Sequence, residues 1–318
     1  MTVPQDTMRA LVFTGPGAME LQDVSTPQVP EGWVPITVRA SGICGSELHG
    51  FRSVGFRRPP LVMGHEFAGE TPDGRRVVVN PLLSCGECDL CRRGRPELCR
   101  ERRLLGVNLA GAFAERVAVP QSAVHEIPAD VSWQTAALIE PLANAVHAWR
   151  QVERGSAERV AVIGAGTIGL VCLLVARHEQ LGEVTVVDRS ASRLDLAARL
   201  GAAACATELD GEYDVVVDAV GSAQTRASAV EHVRPGGTSV WLGLAEPGAG
   251  FDGNGLVRGE KRVVGSFAYG PEDFTAAVSM ASSLDLGWAT PIGMEDSQRV
   301  FMELADGAEQ PVKAVIRL

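Results

Sequence analysis

The stretch from Arg159 to Ser190 reads RVAVIGAGTIGLVCLLVARHEQLGEVTVVDRS. A short apolar run, a glycine-rich turn, a helix-length apolar run and a second short apolar run follow one another, which is the pattern of a strand–helix–strand unit. Gly164, Gly166 and Gly169 fit the spacing G-x-G-x-x-G. That spacing alone is weak, but here it follows a strand, opens a helix and precedes Asp188 at the end of the next strand. The stretch therefore predicts a dinucleotide-binding Rossmann unit.

Each position of this turn has a physical task. The first glycine permits the tight turn, the second lets the backbone approach a pyrophosphate, and the third packs the helix against the strand. Thr167 and Ile168 belong to the same predicted cofactor-binding turn. A carboxylate at Asp188 would accept hydrogen bonds from ribose hydroxyls and repel a 2′-phosphate, which favours NAD over NADP. Arg189 and Arg193 follow closely enough to weaken that preference and are also predicted to lie at the cofactor.

The sequence after Ser190 continues the pattern of strands alternating with helices. Apolar strands are predicted within Tyr213–Ser222 and Arg234–Leu244, with a helical stretch between them. These strands are apolar on both faces, as a parallel sheet covered by helices requires. The segment Lys261–Tyr269 is similar to the last strand of such a sheet, an exposed apolar edge that invites pairing with a second copy.

The sequence before Arg159 has a different pattern of apolar and turn-forming residues. Short strands within Trp33–Ala40, Arg75–Pro81 and Phe113–Pro120 alternate with Gly and Pro turns, which indicates a compact β-rich domain. The chain after Asp285 is expected to return to this β-rich domain. We therefore predict an α/β protein in which residues 1–148 and 285–318 form the β-rich domain and residues 149–284 form the Rossmann domain.

Four of the seven cysteines lie within one short segment, CGECDLCRRGRPELC, at Cys85, Cys88, Cys91 and Cys99. Clustered thiols in a cytosolic chain more often bind metal than form disulfides. Four thiolates would complete a closed tetrahedral shell, which is typical of structural zinc. An iron–sulfur cluster is the alternative, but Arg100 follows the last cysteine where ferredoxin-type runs usually have proline. We predict a structural-zinc lobe at residues 85–99.

Composition and charge limit the class of protein. The chain has 318 residues, 46% of them hydrophobic, and no apolar run near the ~18 residues that a membrane span needs. Its net charge of −10 argues against general nucleic-acid binding, which requires a basic surface. The start MTVPQDTMRALVF lacks the charged and apolar regions of a secretion signal. We therefore expect a cytoplasmic enzyme with no nucleic-acid or membrane partner.

A second group of metal-binding and proton-transfer residues lies near the start of the chain. The segment GICGSELH contains Cys44, Ser46 and His49, and GHE follows with His65 and Glu66. Cysteine, histidine and glutamate are ligands that zinc prefers, whereas a hydroxyl and a histidine suit proton transfer.

These motifs together carry a family resemblance. The order of GICGSELH, GHE, the four-cysteine lobe, EPLANAVHA at Glu140–Ala148 and VIGAGTIG closely resembles the zinc-dependent medium-chain alcohol dehydrogenases over essentially the whole chain. The sequences of the motifs GHE and EPLANAVHA are most similar to those of the polyol (sorbitol) and threonine dehydrogenase branch. The resemblance implies a GroES-like catalytic domain, a Rossmann NAD domain, and relatives that pair as homodimers or homotetramers. The links Gly69–Val77 and Ala206–Val217 are shorter than in relatives, which leaves substrate preference open.

The resemblance also implies roles for individual residues. Cys44 and His65 would bind a catalytic zinc, and either Glu66 or Glu140 would supply its carboxylate ligand, with Glu66 preferred. Ser46 would hydrogen-bond the substrate oxygen, and His49 would pass the proton on to solvent. The four lobe cysteines would bind the second zinc of each chain.

The implied reaction is hydride transfer between NAD and a small secondary alcohol or its ketone, with a polyol-, cyclitol- or amino-alcohol-like substrate. Segments 51–60 and 284–293 are expected to shape the substrate site, with Trp288 as a candidate lining residue. Two alternatives stay open: an aldehyde or ketone reductase of the same family, and an NAD-binding sensor without turnover. The sensor is disfavoured because it would have no use for Ser46 and His49.

Overall fold

The computed structural model describes residues 6–53, 55, 57–153 and 157–318. The chain divides into two compact units. One comprises Met1–Glu140 and Gly270–Leu318, and the other comprises Pro141–Tyr269. Among the helices in the described ranges, none combines the length and hydropathy needed to cross a bilayer.

The described residues contain eighteen strands, numbered here in chain order. Their bounds are β1 Thr7–Gly15, β2 Ala18–Ser25, β3 Trp33–Gly42, β4 Leu61–Val62, β5 Glu66–Glu70, β6 Arg76–Val79, β7 Leu82–Leu83, β8 Arg103–Leu104, β9 Arg116–Pro120, β10 Val124–Glu126, β11 Arg159–Ile163, β12 Glu183–Val187, β13 Ala204–Ala206, β14 Tyr213–Asp218, β15 Val233–Trp241, β16 Arg262–Gly265, β17 Thr290–Gly293 and β18 Ala314–Arg317.

Ten α-helices are found in the same ranges. They are α1 Gly45–Gly50, α2 Asp89–Arg92, α3 Trp133–Ala136, α4 Ile139–Arg150, α5 Thr167–His178, α6 Ala191–Arg199, α7 Ala223–Glu231, α8 Gly253–Arg258, α9 Pro271–Met280 and α10 Ser297–Ala305. Short 3₁₀ helices occupy Pro96–Leu98, Gln121–Ala123 and Met294–Asp296.

The first unit is the predicted β-rich domain. Its larger sheet has the strand order β10-β6-β5-β3-β18-β17, with β9 pairing beside β3, and β2-β1-β4 form a second sheet. The long strand β3 pairs with β9 through its first half and with β18 through its last residues. Consequently the C-terminal strand of the chain lies next to the end of β3, immediately before Cys44.

One apolar cluster of the first unit supports the segment that carries Cys44 and His65. Phe51 follows α1, Met63 precedes the GHE segment, and both are buried with Phe301 of α10. The rings of Phe51 and Phe301 meet edge to face with centroids 5.2 Å apart. This packing holds the segments around Cys44 and His65 in place, because a buried aromatic pair adds a preferred ring geometry to the apolar area that it buries.

The second unit is the predicted Rossmann domain. Its sheet is parallel, with the order β13-β12-β11-β14-β15-β16, which is the doubly wound arrangement of two mononucleotide-binding halves. Buried valines, such as those of β11 and β14, fill both faces of the sheet. As predicted from Lys261–Tyr269, β16 is an edge strand.

The boundaries between the units differ from those predicted at 148 and 285, since the structure divides the chain after Glu140 and after Tyr269. Helix α9 therefore belongs with the β-rich unit. Its Phe274 is fully buried, and the ring lies 4.9 Å from that of His125 in β10. The amphipathic pattern of α9 could not show which sheet its apolar face would cover.

The two predicted substrate-site segments lie in the first unit. Residues 54 and 56 of the segment 51–60 fall outside the described residues. In the other segment, Trp288 is half-buried, and within the described ranges its indole nitrogen has no hydrogen-bond partner.

Candidate active site

Cys44 lies at the junction between β3 and the short helix α1, where it is the N-cap residue. Its backbone N–H donates to the Glu47 carboxylate at 3.0 Å, so an acidic side chain of the first turn closes the helix start. The Ser46 hydroxyl donates to the Cys44 sulfur at 3.3 Å. Ser46 and His49 are both exposed and three residues apart on α1, which places them on one face of the helix.

Glu47 also holds the second segment of the site. Its Oε1 accepts hydrogen bonds from the backbone N–H of Gly64 at 2.8 Å and from Nδ1 of His65 at 3.0 Å. Gly64 has φ +98°, and a Cβ there would meet the backbone nitrogen of Phe113 at 2.6 Å, so glycine is required. Because Nδ1 faces Glu47, Nε2 is the ring nitrogen of His65 that would bind a metal, which would take the place of any proton held there.

The structure brings together three of the predicted metal ligands. One ligand atom each from Cys44, His65 and Glu66 lie within 4.8 Å of one another, and His65 and Glu66 are buried. Thiolate, imidazole and carboxylate are a donor set suited to zinc. Glu140 is buried in the first turn of α4 but is not a member of this group as found among the described residues.

The electrostatics of the group favour a cation at its centre. Burial would lower the pKa of His65, but the negative charges of Glu47 and Cys44 outweigh it and raise that pKa well above its ordinary value. Burial would likewise raise the pKa of Glu47, but His65, together with Arg57 and the backbone N–H of Cys44, outweighs burial, so this pKa is lowered. The negative charge that holds a proton on His65 would also attract a divalent metal ion, so the residues present fit zinc.

Glu66 has a partner from the far end of the chain. Lys313, which is 1% exposed, contacts the Oε2 atom of Glu66 and donates to the carbonyl of Ile43 at 3.0 Å. A Cβ on Gly42 would collide with both charged groups, which explains the glycine that begins the Gly-Ile-Cys segment. A carboxylate has two oxygens, so a contact through Oε2 is compatible with ligation of zinc through Oε1.

The four-cysteine lobe has the geometry of a closed metal site. The Sγ atoms of Cys88 and Cys91, and those of Cys99 and Cys85, lie 3.5 Å apart. Two further sulfur pairs are separated by 3.9 Å. A tetrahedral zinc with Zn–S bonds of about 2.3 Å requires sulfur separations of about 3.8 Å. The described cysteines therefore fit a structural zinc with no open position.

Backbone N–H groups support the thiolates of the lobe. The N–H of Cys85 donates to the sulfur of Cys99 at 3.4 Å, and that of Cys88 donates to the sulfur of Cys85 at 3.3 Å. A hydrogen bond from the backbone of Cys91 lowers the pKa of the Cys88 thiol to about 6. Burial raises the pKa of the neighbouring Cys91 thiol to about 11, so Cys88 is the more ready thiolate of this pair, and a bound cation would deprotonate Cys91.

The glycine turn of the second unit has the predicted shape. Gly164 has φ +98°, and a Cβ on Gly169 would collide with the Gly164 carbonyl, so the helix and the turn are in close contact. A Cβ on Gly166 would meet nothing within 4 Å, which leaves room for a ligand at the N-terminus of α5. Thr167 and Ile168 begin that helix. This arrangement fits a pyrophosphate.

Asp188 lies beside the turn, directly after β12. It accepts hydrogen bonds from the backbone N–H of Ala165 at 2.7 Å and of Ser190 at 2.8 Å. Arg189 is exposed, and Arg193 is half-buried on α6. Asp188 therefore stabilises the glycine turn through hydrogen bonds. Its position at the end of a strand did not predict this role.

Sequence reasoning missed Glu47 and Lys313. A signal for Glu47 was present, because an acidic residue three positions after a helix N-cap commonly closes the helix start. Lys313 had no local signal, since its partner Glu66 is separated from it by 247 positions.

Comparison with known proteins agrees with these arrangements. A family model described as the alcohol dehydrogenase GroES-like domain matches residues 30–129. A second model, described as zinc-binding dehydrogenase, matches residues 167–283. L-threonine 3-dehydrogenase of Streptomyces avermitilis is 34% identical, with the alignment covering 94% of this chain and 97% of that protein.

Solved structures give the same result. A protein described as a zinc-binding dehydrogenase of Sinorhizobium meliloti 1021, bound to NADP, superposes with a TM-score of 0.91 at 28% identity and covers 99% of this chain and 100% of its own. Acetophenone reductase of Geotrichum candidum NBRC 4597, in complex with NAD, has a TM-score of 0.89 at 26% identity, with coverage of 100% and 99%. The resemblance in sequence is thereby confirmed: the chain belongs to the zinc-dependent medium-chain alcohol dehydrogenase family, whose members are oxidoreductases.

Proposed function

We propose that this protein oxidises a secondary alcohol on a polar substrate to the corresponding ketone, with NAD as hydride acceptor. The observation that carries this proposal is the group of Cys44, His65 and Glu66, whose candidate ligand atoms lie within 4.8 Å of one another. The exposed Ser46 and His49 follow Cys44 on α1. A non-catalytic sensor would need the metal ligands but not the neighbouring proton-transfer groups.

When bound, zinc supplies a Lewis acid with an open position, and NAD supplies the hydride acceptor. Cys44, His65 and Glu66 would hold the catalytic zinc, with Glu140 as the alternative carboxylate, and the four lobe cysteines would hold the structural zinc. Ser46 Oγ, next to the Cys44 sulfur, would accept the proton that leaves the substrate hydroxyl. His49, on the same face of α1 and open to solvent, would then carry that proton away.

The expected substrates are polyols, cyclitols or amino alcohols. The relative named L-threonine 3-dehydrogenase supports this class, because threonine is an amino alcohol with a secondary hydroxyl. The experiment that tests the proposal is a panel of these alcohols with NAD, together with zinc analysis. Two zinc ions per chain and oxidation of at least one class are expected. Reduction of ketones without measurable oxidation of alcohols would support the reductase alternative, and NADH binding without turnover would support the sensor.

The proposed preference for NAD over NADP rests on Asp188, whose carboxylate at the end of β12 would accept hydrogen bonds from ribose hydroxyls. Arg189 and Arg193 act in the opposite sense, and one solved relative was obtained with NADP. The ratio of kcat/KM for the two cofactors decides the matter. A much higher value for NAD is expected, and equal values would contradict the role of Asp188.

We further propose a homodimer or homotetramer in the cytoplasm. The apolar side chains of Val257 and Phe267, which flank the edge strand β16, are 71% and 42% exposed, and a second copy could cover them. Thiolate ligands require reduced cysteines, which a cytoplasmic location provides. A monomer by light scattering at micromolar concentration would contradict the assembly.

A further inference from the structure

Three loops are stacked at the carboxyl edge of the Rossmann sheet. A Cβ on Gly164, in the loop after β11, would meet the side chain of Val220 in the loop after β14 at 2.6 Å. A Cβ on Gly221 would collide with the backbone of Gly243 in the loop after β15. The loops are therefore in backbone contact, and the position of the third loop depends on that of the second.

Hydrogen bonds join the second and third loops directly. The backbone N–H of Glu246 donates to the carbonyl of Gly221 at 2.9 Å, and the Glu246 carboxylate accepts from the N–H of Ala223 at 2.9 Å. Behind them, the carbonyl of Asp218 accepts from the N–H groups of Leu242 and Gly243, each at 3.0 Å.

Arg226 binds the backbone of the third loop, residues 242–248. This residue of α7 is 8% exposed, and its Nη1 donates to the carbonyls of Glu246 at 2.6 Å and Gly248 at 2.7 Å. Its Nη2 donates to the carbonyl of Gly243 at 3.2 Å, and its guanidinium lies 5.4 Å from the centre of the Trp241 ring. The planar fork of arginine suits three carbonyls at once, which a lysine ammonium cannot reproduce in the same geometry.

The loop that Arg226 holds is kept in place by hydrogen bonds to its backbone rather than by packing of its own side chains. Between Gly243 and Gly250 the sequence is GLAEPGAG, which is rich in glycine and alanine and offers little side-chain surface for packing. Leu244, its one large apolar side chain, is 78% exposed. Without the guanidinium, the three carbonyls would bind water, and the loop would be held by fewer hydrogen bonds, mainly those to the loop after β14, and would fluctuate more.

The topology indicates which half of the cofactor this loop would meet. In the strand order found here, β11, β12 and β13 form one mononucleotide-binding half, and β14, β15 and β16 form the other. The glycine turn and Asp188 belong to the first half and so would face the pyrophosphate and the adenosine ribose. The loop 242–248 follows β15 and therefore belongs to the half that remains for the nicotinamide nucleotide.

We infer that Arg226 is a positioning residue for the nicotinamide half of the cofactor, which it serves by holding loop 242–248 in the form that binds. The inference rests on the proposed use of NAD. It requires that part of the binding free energy come from a loop ordered in advance, because a loop that is only fractionally competent lowers apparent affinity by that fraction.

The test compares two ligands by calorimetry on the full chain. NADH engages both halves of the site, whereas ADP-ribose lacks nicotinamide. In Arg226→Met we expect about tenfold weaker NADH binding, the scale of one lost hydrogen bond to a charged group, while ADP-ribose binding changes less than about twofold. Arg226→Lys should recover part of the loss. In Arg226→Met, faster amide hydrogen exchange confined to residues 242–248 should accompany the weaker NADH binding.

Two controls separate positioning from general damage. Arg177→Met removes an arginine that donates to the carbonyl of Leu200 at 2.8 Å, at the C-terminal ends of α5 and α6, and should leave the ratio of the two affinities unchanged. Glu246→Ala loosens the same loop from its exposed side and should give the same selective loss, which keeps the inference testable should Arg226→Met not fold.

Equal weakening of NADH and ADP-ribose, or unaltered NADH binding in both Arg226→Met and Glu246→Ala, would overturn the inference while leaving the proposed function intact. Failure of the unaltered protein to bind NADH would overturn the proposed function and the inference with it.

Discussion

The two cysteine-containing clusters of the first unit are built in opposite ways. All four cysteines of the lobe come from fifteen consecutive residues, and Cys85 is exposed. The proposed ligands of the other cluster, Cys44, His65 and Glu66, lie at the start of α1 and at the start of β5. His65 and Glu66 are buried, and Lys313 contacts the Glu66 carboxylate.

The comparison shows how a closed metal site would differ from one with an open coordination position. The lobe uses four sulfurs and local backbone N–H groups, so it needs only a short loop and leaves no coordination position open. The cluster of Cys44, His65 and Glu66, called the buried cluster below after its two buried members, would use three ligands of different chemistry. Further residues hold these side chains, such as Glu47 at His65. Loss of the first should therefore affect stability, and loss of the second should affect activity.

The largest effect is expected for Cys44→Ser. Losing one of three ligands should empty the buried cluster of zinc and lower kcat by roughly a thousandfold, since Lewis acid stabilisation contributes several kcal/mol. Zinc analysis should show one ion retained in the lobe. The matched change Cys88→Ser should remove the other ion, lower the melting temperature and leave NADH binding intact. If both variants lost activity equally with both zinc ions retained, the division of roles would be wrong.

The next effect is expected for Lys313→Met, which leaves the buried carboxylate of Glu66 without its cation. Removing one partner of a buried pair typically costs about 3–5 kcal/mol of unfolding free energy, measured here by urea unfolding. The double variant Lys313→Met with Glu66→Gln should recover part of the loss. The control is Arg100→Met in the lobe, whose ion pair with Asp89 is exposed and should contribute almost nothing. Equal stability of Lys313→Met and the unaltered protein would contradict the pairing.

A third effect distinguishes the two glutamates. Glu66→Gln should release one zinc ion and abolish most turnover, because among the described residues Glu66 is the carboxylate that lies within 4.8 Å of both Cys44 and His65. Glu140→Gln should keep both ions and lose less activity. Zinc content and kcat measure both outcomes. The reverse pattern, in which only Glu140→Gln loses a zinc ion, would make Glu140 the resting ligand.

The smallest effect is expected for Glu47→Gln. The amide keeps the size of the side chain but accepts hydrogen bonds through only one oxygen, so it cannot serve Cys44, Gly64 and His65 together. Losses of this kind typically cost 10- to 100-fold in metal affinity or activity. Competition with a zinc chelator should show this weakening in the buried cluster and none in the lobe. Equal weakening of both sites would indicate a general loss of structure.

Features defined by local spacing could be predicted from the sequence. The glycine turn, Asp188 and the four-cysteine lobe each occupy one short segment whose spacing reflects its geometry, and the parallel sheet follows from strands that are apolar on both faces. Features defined by distant contacts could not. Lys313 and Arg226 act on residues brought near only by the completed sheets, and α9 joins the β-rich unit through a ring contact that no periodicity indicates.

The position of Lys313 has a consequence for the order in which the protein matures. A nascent chain that has emerged only as far as residue 312 already contains Cys44, His65 and Glu66, but Glu66 has no counter-charge, and β18 is not yet in place beside β3. Closing this contact spans most of the chain, which makes it slow relative to the local folding of the lobe. During synthesis, the lobe can therefore acquire its metal early, whereas the buried cluster reaches its final charge balance only after the C-terminal strand has been made.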